Sequence, residues 1–140
     1  MNWDDLMFEK KYSSWKAYSQ SKLANILFTR ELANRLKGTN VTAYVLHPGA
    51  VRTELQRHVP TTYGFLLNVM MFIGYPLFCI LFKTPFEGAQ TNIYCAVAEE
   101  LDNVSGHYYS DCKEKKLLPH ALIEGDPEKL WKISEKLVNL

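Results

Sequence analysis

Three times in 140 residues a tyrosine stands four positions before a lysine: Tyr12/Lys16, Tyr18/Lys22 and Tyr109/Lys113. A free phenol titrates near pH ~10, too high for a base at neutral pH. An ammonium fixed beside a phenol favours the phenolate, so such a pair can take a proton from an alcohol or return one to a carbonyl. The same reaction moves a hydride, which no side chain carries, so a nicotinamide cofactor is implied. With 8 tyrosines and 12 lysines the spacing arises by chance roughly once per chain, and local structure has to choose among the three.

Only on a helix does an i, i+4 spacing bring the two side chains together. Leu23, Ile26, Leu27, Leu32 and Leu36 recur at three-to-four spacing and predict a helix over about 14–37, closed by Gly38. Tyr18 and Lys22 fall inside it. The small Ser19 and Ser21 flank Tyr18 and let a bulky cofactor approach. Tyr12/Lys16 straddles the helix start, and Tyr109/Lys113 begins in an expected strand over 106–110 and crosses Asp111. A buried strand is expected over 41–46, stopped by Pro48-Gly49. Thr84-Pro85-Phe86-Glu87 reads as a capping box opening a helix over 84–99. Asp126-Pro127-Glu128 opens a last helix over 127–138, with Asp126 as the expected cap. Helix, strand, apolar segment, helix, strand, helix is an α/β order, read here as part of a single domain over 1–140.

Composition closes several routes. The formal charge of +1 gives no basic field for nucleic acid. Three widely spaced cysteines with no CxxC, and four histidines without ligand spacing, give no metal site and no disulfide scaffold. The acidic start Met1-Asn-Trp-Asp-Asp does not read as a signal peptide. The seven glycines contain no GxGxxG, so the strand–glycine turn–helix unit that opens a nucleotide-binding fold has no counterpart here.

YSQSKLANILFTRELANRL, followed by VTAYVLHPGAVRT, resembles the C-terminal half of the short-chain dehydrogenase/reductase family. Tyr18, Ser21 and Lys22 match the family's Tyr, small residue and Lys. Pro48, Gly49 and Thr53 match its Pro-Gly and following Thr. SKLANILFTRELA, HPGAVRTEL, FKTPFEGAQT and VSGHYYSDCKEKKLLP look like the retinol dehydrogenases within that family. The resemblance implies the C-terminal part of a Rossmann-like, doubly wound parallel sheet. Tyr18 would be the acid/base. Lys22 would tune it and bind the nicotinamide ribose. Pro48 and Gly49 would turn the chain beneath the nicotinamide, with the Val51 backbone at its carboxamide, and the Thr53 hydroxyl, like Tyr18 and Lys22, would bind the cofactor, at the carboxamide or a phosphate. The expected cofactor is NADP, with NAD open. The family's catalytic serine and glycine motif lie upstream of this helix and have no counterpart. Ser13 and Ser14 stand too close to Tyr18 to be that serine. The activity is therefore expected to belong to a longer protein; the other reading is an inactive truncated product, at most a membrane-associated interaction module. His47 reads as a satisfied strand-end histidine.

Val59–Phe82 holds no Asp, Glu, Lys or Arg. It is long enough to approach a membrane span, yet Gly64, Asn68, Gly74 and Pro76 interrupt it, and as a core helix it is apolar on every face. In the family this segment is the lid over the substrate. An apolar lid over 54–83, with Phe65, Leu66, Met70 and Phe72 facing substrate, implies an apolar substrate and contact with a membrane surface. The resemblance adds a homodimer through the Tyr18 helix, and the cytosolic face of the endoplasmic reticulum membrane or the mitochondrion as locations.

Overall fold

Helix α1 (Ser14–Arg35) buries one face and leaves the other open. The computed structural model describes residues 1–52 and 82–139. Leu27 is fully buried, which contributes roughly 1.5–3 kcal/mol. Facing it is α3 (Asp126–Leu137), with Leu130 buried. Phe28 of α1 stacks on Trp131 of α3, ring centroids 5.1 Å apart. The Arg35 guanidinium lies 4.5 Å over the same indole ring. Arg35 Nε also pairs with the buried carboxylate of Glu31 at 2.7 Å, the partner such a buried charge requires. Arg30 donates to the carbonyl of Ala121, at the end of the 3₁₀ turn Pro119–Ala121. These residues belong to one compact unit, Met1–Val45 with Glu99–Tyr109 and Glu114–Leu140. Leu46–Ala98 with Ser110–Lys113 form the other.

The sheet has three strands in the order β1 (Val45–His47), β2 (Tyr108–Ser110) and β3 (Lys113–Glu114). β1 and β2 run parallel, entered by Gly106 N–H to the Ala43 carbonyl (2.7 Å) and Val45 N–H to the His107 carbonyl (3.2 Å). β3 returns antiparallel after the two-residue turn Asp111-Cys112, whose φ values are +56° and +53°. Two positive φ values suit a tight hairpin, although Asn-Gly is the usual occupant. The architecture is α/β.

Element ends differ from expectation for local reasons. The strand expected over 41–46 is found at Val45–His47. Upstream, Val41 N–H donates to the Thr39 hydroxyl and Ala43 N–H to the Ser105 hydroxyl (2.9 Å), so side chains take amides that a ladder would need. α1 ends at Arg35 rather than 37, and Gly38 at φ +82° turns the chain away. α2 spans Pro85–Val97 rather than 84–99, and Glu99–Leu101 form a separate 3₁₀ turn. The strand expected over 106–110 narrows to Tyr108–Ser110, Gly106 being a turn residue at φ +81°. For α3 the cap is Gly125 at φ +83°, and Asp126 is already inside the helix, buried. The apolar stretch 54–83, with Phe65, Leu66, Met70 and Phe72, lies outside the described residues except for Phe82 and Lys83, as does Thr53. Among the described residues no helix is long and apolar enough to cross a membrane.

The Thr84–Glu87 capping box forms in full. The Thr84 hydroxyl accepts from Glu87 N–H, and the Glu87 carboxylate accepts from Thr84 N–H at 2.7 Å. The Thr84 backbone, then its hydroxyl, hold the Glu87 carboxyl below its ordinary value, helped by Arg52 and Lys83. Thr84→Ala should cost about 1 kcal/mol in urea unfolding. A depressed folded pKa means that the carboxylate's contribution is present above the unfolded value and is lost as pH falls toward the folded one. Wild type should thus lose stability on acidification through the glutamate range, relative to Glu87→Gln. Parallel pH profiles of the two proteins would contradict this.

Candidate active site

The helical rise places Trp15, Tyr18, Lys22 and Asn25 on one open face of α1. Tyr18 is 58% exposed, and its ring stacks on Trp15 with centroids 6.3 Å apart. The Lys22 ammonium stands 5.4 Å from the centre of the Tyr18 ring. Ser21 donates its hydroxyl to the Tyr18 carbonyl at 2.8 Å. That bond occupies Ser21 locally and leaves the phenol unobstructed. The arrangement offers a hydroxyl and an ammonium to one ligand, in reach of an alcohol, a carbonyl or a sugar diol.

The other two pairs are placed differently. Tyr12 precedes the Ser13 cap, so Tyr12 and Lys16 do not share a helix. Tyr109 is 2% exposed, packed edge-on against Tyr44, and Lys113 lies beyond the hairpin turn. Of the three, only Tyr18/Lys22 stands on a single helix face with cation over ring.

Pro48, Gly49 and Val51 form a second group on the turn after β1, in the other compact unit. Gly49 takes φ +89°, a conformation that side chains rarely adopt. Its N–H donates to His47 Nδ1 at 2.9 Å, which gives His47 a structural task in the turn. Val51 pairs as a parallel bridge with Lys83, through Arg52 N–H to the Lys83 carbonyl (2.9 Å) and Lys83 N–H to the Ala50 carbonyl (2.8 Å). Val51 also packs on Gly88 of α2, where a Cβ would come within 2.6 Å of Val51 Cγ2.

Lys83 was not expected at this site. Its stem runs against Gly49, so a Cβ there would lie 3.0 Å from Lys83 Cδ and 3.2 Å from Nζ. The ammonium pairs with the Asp111 carboxylate. No local pattern signals this, because 34 residues separate Gly49 from Lys83 and 28 separate Lys83 from Asp111. Among the described residues, no group of three His, Cys, Asp or Glu side chains could hold a metal ion.

The family model described as short chain dehydrogenase matches residues 7–64. The chain is 54% identical over 142 residues to Retinol dehydrogenase 14 of Homo sapiens, with all of this chain and 40% of that protein covered. It is 47% identical over 136 residues to Retinol dehydrogenase 12 of Homo sapiens, covering 97% of this chain and 40% of the relative. It is 46% identical over 145 residues to Retinol dehydrogenase 13 of Mus musculus, covering all of this chain and 41% of the relative. The chain therefore spans about 40% of the length of the curated relatives it matches.

Gly49 and Gly38 make a matched test of the turn. Both have positive φ, but a Cβ at Gly38 meets nothing within 4 Å. Gly38→Ala should cost the left-handed strain alone, about 1–2 kcal/mol. Gly49→Ala should cost about 1–3 kcal/mol more, from crowding against Lys83. Equal losses in denaturant unfolding would show that the Lys83 stem does not constrain the turn.

Proposed function

We propose that the chain belongs to the short-chain dehydrogenase family, a family of oxidoreductases that use NAD or NADP, and that it carries the proton-transfer part of an enzyme interconverting an apolar alcohol and aldehyde of the retinol/retinal kind. The observation that carries this reading is the Tyr18/Lys22 pair, ammonium 5.4 Å from the ring centre on an exposed helix face. Taken one group at a time, the residues present fit parts of the nicotinamide end of the cofactor: a phenol and an ammonium on α1 suit a ribose diol, and in the other unit the Gly49 turn carries no side chain. NADP is the proposed form, by resemblance to the family, with NAD open.

Tyr18 gives its hydroxyl proton to the substrate oxygen in reduction and takes it back in oxidation. Lys22 stabilises the phenolate left behind and holds the ribose hydroxyls. A bound nicotinamide supplies or accepts the hydride. Pro48 and Gly49 shape the floor of the nicotinamide site, with the Val51 backbone at the carboxamide, and Thr53 is the proposed hydroxyl for the carboxamide or a phosphate. Phe65, Leu66, Met70 and Phe72 belong to an apolar lid that meets both substrate and the membrane surface. The cytosolic face of the endoplasmic reticulum membrane is the proposed location, with the mitochondrion the alternative, and a homodimer through α1 the proposed assembly.

A second reading has one observation in its favour: the sequence holds no glycine-rich phosphate motif. By that reading these 140 residues are a catalytically inactive product, at most a membrane-associated interaction module. Two experiments test the pair of readings. The 140-residue chain given NADPH and retinal should show no turnover. In a full-length protein, Tyr18→Phe should lower turnover by roughly 10²–10⁴-fold with the fold intact, whereas Tyr12→Phe and Tyr109→Phe should remain active. Turnover by Tyr18→Phe at the wild-type rate would rule out the proposed chemistry.

The lid has its own test. Met71→Glu and Phe78→Glu in the full-length protein should weaken pelleting with membranes and raise KM for retinal. If both readouts stay at wild-type values, the lid and membrane roles are wrong.

A further inference from the structure

Lys83 is held at both ends. Its backbone is bridged to Ala50 and Arg52, the two residues that flank Val51. Its ammonium meets one oxygen of Asp111, whose other oxygen accepts from the Ser110 hydroxyl at 3.3 Å. Asp111 itself sits at φ +56°, in the hairpin turn that aims it. Between these anchors the stem fills the space where a Cβ on Gly49 would stand.

A partly exposed Lys–Asp pair contributes little to global stability, because water screens it and both side chains lose freedom. Its consequence is local: it fixes where the stem lies, and so where the Gly49 turn can go. Glu87, the other carboxylate near Lys83, is already engaged by the Thr84 backbone and hydroxyl. That leaves Asp111 as the carboxylate that holds the ammonium.

We infer that Lys83 and Asp111 form a clamp that positions the Pro48–Gly49 turn to receive the nicotinamide end of the cofactor. The inference rests on the proposed oxidoreductase reading. Both are positioning residues. Lys83→Met keeps the stem and removes the charge, and Asp111→Asn removes the partner and keeps the stem.

The test titrates NADPH, and separately NADH, into the full-length protein by fluorescence, alongside melting of the unliganded protein. Lys83→Met and Asp111→Asn should each raise the Kd for the preferred dinucleotide by about tenfold, a displaced turn being costly to a fitted ligand. The double variant should be no worse than the weaker single, since one pair is broken once. Lys83→Arg should restore binding, and melting temperatures should stay close to wild type. Unchanged Kd in both single variants, with Tyr18→Phe still abolishing turnover, overturns the clamp and leaves the proposed function standing. A lowered melting temperature with unchanged Kd likewise overturns it. A wild-type protein that binds neither dinucleotide overturns both. Should Lys83→Met fail to fold, Asp111→Asn reads the same clamp.

Discussion

The burial of Leu27 decides where Tyr18 points. Nine residues separate them, and at 3.6 residues per turn that is about two and a half turns, or opposite sides of α1. With Leu27 fully buried, the Tyr18 side of the helix must face outward. The contacts at the far end of α1 reinforce this choice. Phe28 stacks on Trp131, Arg35 covers the same ring, and Glu31 is neutralised by Arg35. None of these residues touches the phenol. Together they stop the helix from rolling, and so keep Trp15, Tyr18 and Lys22 on the open face.

The second unit solves a different problem, which is to shape a turn that carries no side chain. Gly49 needs a positive φ, and the Lys83 stem occupies the space beside it. Val51 needs a partner without a side chain in α2, which Gly88 provides. The Thr84–Glu87 box fixes the first turn of α2 and, with it, the position of Gly88 one residue later. A glycine that packing forbids to be anything else reports geometry more strictly than one that merely tolerates an unusual φ. Gly88 is of the first kind, a Cβ there standing 2.6 Å from Val51 Cγ2, and Gly38 of the second.

What the sequence disclosed follows from the range of each interaction. The capping box was legible because both partners lie within three residues, and α1 because its apolar period repeats over 22 residues. β1 was placed early, since Thr39 and Ser105 hydroxyls claim amides in 41–44, and Ser105 is 62 residues from Ala43. Asp126 has a side chain that suits a cap, yet Gly125 in the left-handed turn caps α3 instead. The Asp111-Cys112 hairpin carries none of the Asn-Gly chemistry that marks such turns. Lys83 was invisible for the same reason as Ser105. Its meaning depends on residues 34 and 28 positions away, and no periodicity connects them.

Exposure sets what the Tyr18/Lys22 pair can do by itself. For an illustrative separation of ~5 Å, an ammonium and a phenolate attract by roughly 1 kcal/mol in a water-like medium, and by about 3 kcal/mol at an effective dielectric constant of ~20. A pair as open as this one sits near the first limit. Drying the face raises the attraction without moving either residue. On the proposed reading, dinucleotide and apolar substrate provide that cover, so binding and activation of the phenol become the same event. The helix supplies spacing and orientation, and the covering ligand supplies the dielectric. A Tyr-x-x-x-Lys motif is chemically silent until something lies over it. Counting such motifs therefore says little, whereas finding one on the exposed face of a helix whose back is locked says much more.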